Sequence, residues 1–135
     1  MLESMEEQHT RHVTYTIAYH FVWCPKYRKQ VLTGEVAQFV ESELRRLCAA
    51  NGWTVGALTI QEDHVHLFVG AKPSDSPSRM ANTLKGITAR QVFKRYPAVK
   101  QRVWGGSFWS RSFYVVSVGD MTQTTVKKYL ELGQG

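Results

Sequence analysis

The sequence predicts an α+β domain of ferredoxin-like (RRM-like) βαββαβ plan: an antiparallel sheet, both helices on one face, and a C-terminal helix carrying a tyrosine. Three observations predict it. Segments rich in Val, Ile, Tyr, Phe and Trp alternate with amphipathic segments in the order β-α-β-β-α-β. The chain has 135 residues, suited to one domain with one core. Its hydrophobic share is 43%, ordinary for a globular protein, and no apolar run approaches the ~20 residues of a membrane span.

The elements follow in order. Residues 1–11 are acidic and polar at their start and read as a flexible arm, leaving 12–135 as a single domain. They do not resemble a basic-then-apolar leader, so a cytoplasmic location is expected. Residues 14–23 suit a first strand, which Pro25 stops. From Gly34 to about Ala50 the apolar residues Val36, Phe39, Val40, Leu44 and Leu47 recur at helical spacing, and Asn51-Gly52 supplies a C-cap. Residues 53–60 and 64–70 read as a hairpin around Gln61-Glu62-Asp63. After a Pro- and Ser-rich loop, residues 77–96 form a second helix with Met80, Leu84, Ile87, Val92 and Phe93 on its apolar positions. Gly105-Gly106 is a turn, 113–118 a further strand, and Gly119 breaks it. Asp120 can cap a last helix over 121–132.

Lys and Arg total 17 against 11 Asp and Glu, a net charge of +6, and the early Glu3, Glu6 and Glu7 make the remaining body more basic still. Such a surface is the electrostatic footprint of a nucleic-acid binder, although many basic proteins bind none. Lys26, Arg28 and Lys29 cluster after the first strand. Lys85, Arg90, Lys94 and Arg95 lie on the second helix, and Arg102 and Arg111 bracket residues 104–109. Phosphate contacts through Lys26, Arg28, Lys85 and Arg90 are expected, against the plainer role of solvated charges. Trp23, Trp53, Trp104 and Trp109 are expected in the core or an interface. Cys24 and Cys48 lack CxxC spacing and are expected as buried thiols.

His64-Val65-His66 carries the chemistry. Strand side chains alternate, so both imidazoles share one face while Val65 enters the core. On a central strand, facing away from the helices, the pair would meet solvent and substrate. It could hold a divalent ion, which needs at least one further ligand, or be two ordinary surface histidines. Asp63 could orient an imidazole or merely serve the hairpin turn. Tyr129 lies in a basic stretch beside Lys127 and Lys128. A phenol with its usual pKa near 10 is a poor nucleophile, and neighbouring cations favour the phenolate. The alternative is a tyrosine that packs its helix.

Several further segments stand in order: Tyr19-His20-Phe21-Val22-Trp23-Cys24-Pro25-Lys26-Tyr27-Arg28, Asp63-His64-Val65-His66-Leu67, Leu84-Lys85-Gly86, Trp104-Gly105-Gly106-Ser107-Phe108-Trp109, and Val126-Lys127-Lys128-Tyr129-Leu130-Glu131. With them the chain resembles the Y1 transposases of the IS200/IS605 family and their REP-associated relatives, which are HUH single-strand nucleases. The resemblance runs from about Tyr15 to Gln134. It implies cleavage and rejoining of single-stranded DNA at insertion-sequence ends that form hairpins, with Tyr129 as nucleophile and a 5′-phosphotyrosine intermediate. It implies Mg²⁺ or Mn²⁺ on His64 and His66, no nucleotide cofactor, and a homodimer in which Gly119 can act as hinge. It also implies a glutamine ligand four residues after the tyrosine. Here that position is Gly133, and Gln134 is the glutamine. On a regular helix Gln134 stands ~140° around from Tyr129. A left-handed Gly133 would turn it back towards the ion. Two other readings stay open: a decayed or domesticated relative that binds hairpin DNA without cutting, and a metal-dependent hydrolase in which Tyr129 is structural.

Overall fold

The computed structural model describes residues 8–9, 14–15, 17–103 and 106–118. Two short strands, β1 (Gln8–His9) and β2 (Thr14–Tyr15), pair with each other. The main body follows: β3 (Ala18–Trp23), helix α1 (Gly34–Ala50), β4 (Thr54–Gln61), β5 (His64–Gly70), helices α2 (Pro77–Arg95) and α3 (Pro97–Arg102), and β6 (Tyr114–Val118). The four long strands form one antiparallel sheet in the order β4-β5-β3-β6. β5 is inserted between β3 and β4, which α1 connects, and this is the split βαβ arrangement.

The expected first strand divides. Residues 14–15 pair with β1, and the main sheet begins only at Ala18. High β-propensity runs through residues 14–23 and gives no sign of this break. β1 itself lies in the segment read as an arm. The helix expected over 77–96 ends at Arg95. Tyr96 precedes Pro97 and takes φ −128° and ψ 72°, because the proline ring disfavours helical backbone before it. Pro97 then starts α3, six residues long and too short to show a periodicity. Gly52 takes φ +76° after Asn51, the C-cap the sequence proposes for α1. At the start of α2, Ser76 Oγ accepts the Arg79 N–H at 3.1 Å.

Both long helices cover one sheet face. Phe21 and Trp23 of β3 and Val65, Leu67 and Val69 of β5 join Val40, Leu44 and Leu47 of α1 and Met80, Leu84 and Val92 of α2 in one buried cluster. Trp23, Trp53 and Trp109 are buried as expected. Cys48 is fully buried, but Cys24 is only half-buried. The helix expected over 121–132, Gly119 and Trp104 lie outside the described residues. No helix among the described residues is long and apolar enough to cross a membrane.

Candidate active site

The strand register builds the site on the face away from the helices. On β5 that face carries His64, His66 and Phe68, since Val65, Leu67 and Val69 enter the helix-side core. Val22 pairs with His66, and His20 pairs with Phe68, so β3 contributes His20 to the same face. The sequence places both β5 imidazoles towards solvent. The structure corrects this for His66, which is 1% exposed, with His20 at 3% beside it. The His20 ring stacks on His66 at 5.5 Å and 13° and on Phe68 at 5.9 Å and 26°. His64 stands edge-on to His66, with ring centroids 4.7 Å apart. Rings from two strands thus crowd what period-two alternation alone leaves open.

Hydrogen bonding orients the rings. Asp63 Oδ1 lies 2.7 Å from His64 Nδ1. A carboxylate only accepts, so Nδ1 carries a proton, and in the neutral ring Nε2 then holds the lone pair. Among the described residues, that Nε2 is buried with no hydrogen-bond partner. Asp63 Oδ2 in turn accepts from Arg28 Nη2 at 3.1 Å. The hydrogen bond from His64, with the Arg28 guanidinium, holds the Asp63 carboxyl below its usual range. Asp63 therefore does both things the sequence leaves open: it sits in the β4–β5 turn and it orients an imidazole. His20 Nε2 lies 3.3 Å from His66 Nδ1. Burial, reinforced by His66, lowers the His20 pKa to about 4, so it is neutral near pH 7.

The predicted basic residues separate. Arg28 stays with Asp63 beside the histidines, and the Lys26 ammonium lies 5.4 Å from the Tyr27 ring. Lys85 is committed elsewhere. Its ammonium donates to the carbonyls of Ser110, Arg111 and Ser112 at 2.7, 3.2 and 3.2 Å, and burial lowers its pKa. Three donors spent on three carbonyls make Lys85 a clamp on this loop. Arg90 is exposed and lines a cavity of about 330 Å³ with Phe93, Gly106, Trp109 and Arg111. Tyr129 and Gln134 lie outside the described residues. Among the described residues no three His, Cys, Asp or Glu side chains group into a metal-holding set.

Comparison with known proteins now bears on the site. The family model described as "Transposase IS200 like" matches residues 13–132. The chain belongs to the IS200-like transposase family. The ISDra2 transposase TnpA of Deinococcus radiodurans is 39% identical over 127 residues, covering 94% of this chain and 91% of that one. The transposase for insertion sequence element IS200 of Salmonella typhimurium is 31% identical over 129 residues, covering 93% and 85%. The crystal structure of a candidate transposase from D. radiodurans R1 superposes with TM-score 0.78 at 37% identity, covering 92% and 95%. A REP-associated tyrosine transposase bound to a REP hairpin shares the fold, with TM-score 0.59 at 13% identity, covering 92% and 68%.

The family match takes in His20, His64, His66 and Tyr129 and stops short of Gln134. His20 is the site residue that motif reading missed. Its signal was parity: His20 shares its strand face with Val22, the residue opposite His66. Only the sheet register shows that this face is the histidine face.

Proposed function

We propose that this transposase cuts and rejoins single-stranded DNA through a 5′-phosphotyrosine on Tyr129, with a divalent ion held by His64 and His66. One observation carries the reading: His64 Nε2 is buried and unpartnered among the described residues, while Asp63 takes up Nδ1. A carboxylate–imidazole pair with its second nitrogen kept for a metal is how histidine ligands are oriented. The donor set fits. His66 turns Nδ1 towards His20, so Nε2 is the nitrogen it can bring to the ion. With neutral nitrogens and Gln134 as amide-oxygen ligand, the set suits Mg²⁺ or Mn²⁺. When bound, the ion would polarise the scissile phosphate and neutralise its charge.

The chain's own residues do the rest. Asp63 holds the His64 tautomer, and His20 Nε2 accepts a hydrogen bond from the His66 Nδ1–H. The Tyr129 phenolate oxygen attacks phosphorus, the P–O3′ bond breaks, and the 3′-oxygen leaves and takes up a proton. Reversal with a 3′-OH returns the phenol and reseals the strand. Bond energy is kept in the protein–DNA link, so no nucleotide cofactor is needed. The basic groove of Arg90 and Arg111 offers phosphate contacts for a hairpin end, and a REP hairpin is what the REP-associated neighbour binds. A homodimer, with Gly119 as hinge for the Tyr129 segment, completes the reading.

The test is an adduct assay. With single-stranded DNA of its element's end and Mn²⁺ or Mg²⁺, the wild-type protein forms a covalent DNA adduct that Tyr129→Phe loses. No adduct with the correct DNA would sink the reading. Cleavage that survives Tyr129→Phe points to a hydrolase. One feature favours the second reading, a hairpin binder that does not cut: Gln134 is one residue out of register and beyond the matched segment. Gln134→Ala decides its role, because an unchanged metal response removes Gln134 from the site.

A further inference from the structure

A groove of about 490 Å³ lies between the end of β3 and the start of β6, within the size range of ligand pockets. Its lining includes Val22, Cys24, Tyr27, Arg28, Phe113 and Tyr114. Tyr27 and Tyr114, at 67% and 57%, are the large hydrophobic residues most exposed among those described. The Tyr27 turn is unusual. Tyr27 and Arg28 take φ +61° and +50°, the left-handed region that L side chains seldom adopt, and here two non-glycine residues adopt it in succession. Such backbone persists only where its surroundings hold it. Lys26 N–H donates to the Phe108 carbonyl at 2.9 Å, Arg28 N–H to the Pro25 carbonyl at 2.8 Å, and the Arg28 side chain to Asp63. The result is an aromatic ring kept in solvent on a fixed turn.

The groove adjoins the histidine site at two points. Val22 pairs with His66 on one side and with Tyr114 on the other, so the three stand in one row across β5, β3 and β6. Adjacent strands are ~4.8 Å apart, which puts the Tyr114 backbone roughly 10 Å from that of His66 on the same face. At the other point, Arg28 bonds Asp63, and Asp63 bonds His64. Burial raises the Cys24 pKa, which makes its thiol a poorer nucleophile here.

We infer that this groove docks one unpaired nucleotide next to the one being cut, its base against Tyr27 and Tyr114 and its phosphate on Arg28. The inference rests on the single-strand reading above. Every base has a π face, so two exposed phenol rings make a platform that tolerates any sequence. Arg28 has a side chain 65% exposed and five N–H donors, of which Asp63 uses one. The net charge of +6 complements a polyanion. Lys85 shapes the groove indirectly, by clamping the 110–112 segment that forms part of its wall.

The test measures binding without cutting. A short fluorescein-labelled oligothymidylate is titrated with full-length protein in EDTA, and anisotropy reports affinity. Tyr27→Ala and Tyr114→Ala should each weaken binding about five-fold or more. Tyr27→Phe and Tyr114→Phe should bind like wild type, because the stacking face remains. Arg28→Gln should lower the slope of log affinity against log salt by about one. Unchanged affinity in both alanine variants, with circular dichroism showing an intact fold, overturns the inference. A change of sedimentation in those variants without a change of affinity also overturns it, and makes the groove a contact between copies of the chain. The two readings fail separately. A wild-type protein that makes no adduct but whose binding depends on both tyrosines loses only its cutting role. One that makes the adduct while both variants bind normally loses only the groove.

Discussion

The two faces of β5 differ in what they ask of a side chain. Val65, Leu67 and Val69 meet the helix layer, where any apolar group of the right volume contributes through burial. His64, His66 and Phe68 meet the opposite side, where a ring nitrogen must point one way and its neighbour another. Both faces are mostly closed to water, and Phe68 is as buried as Leu67. Burial alone therefore does not separate scaffold from site. Hydrogen bonding does: the helix face of β5 has only hydrocarbon, and the other face runs Arg28–Asp63–His64 and His20–His66.

The largest expected effect breaks the scaffold face. Leu67→Ala removes a fully buried side chain and should cost about 2–5 kcal/mol of stability, read from denaturant melts. Adduct yield well below the melting temperature should stay near wild type; a loss there while the protein is still folded would mean the faces are not separable. Asp63→Asn is the converse. It should lower Mn²⁺ affinity by about 10- to 100-fold in calorimetry, with little change in melting, since Asp63 is partly exposed. An unchanged affinity would return Asp63 to plain turn chemistry.

Smaller effects sharpen the contrast. Trp109 Nε1 donates to Thr88 Oγ1 at 2.9 Å, a buried polar contact within the scaffold, and Thr88 in turn donates to the Leu84 carbonyl at 2.6 Å. Trp109→Phe should cost about 1 kcal/mol in a denaturant melt for that bond, beyond the lost packing. If it costs no more than an exposed substitution, the network is not structural. The mildest probe is alkylation. Cys48, whose thiol burial pushes up to about 12, should resist iodoacetamide until the protein unfolds. Half-buried Cys24 should be labelled first, yet more slowly than a free thiol. Equal labelling in the native protein, read by peptide mapping, would contradict the burial pattern.

The sheet and its helices were legible because their periodicities are long and uninterrupted. The seventeen residues of α1 run over the predicted bounds, and His64, Val65 and His66 alternate as the pattern requires. What stayed hidden depended on contacts across strands. The break before Ala18 is made by pairing with β1, which propensity does not see. His20 joined the site through register, and Lys85 left the free cations because three carbonyls converge on it. The left-handed Tyr27 and Arg28 were equally invisible, since neither is a residue type that favours that region. Tyr129 and Gln134 are known here by sequence alone.

The chain of contacts from Arg28 through Asp63 to His64 has a thermodynamic consequence. One end faces the groove, and the other end holds a ring whose second nitrogen is buried with no hydrogen-bond partner among the described residues. Whatever factor a bound strand applies to ion affinity through that chain, the ion must return to strand affinity, because the cycle of the two binding steps closes. If both proposed ligands bind, titrating either in the presence of the other measures how much coupling those three side chains carry.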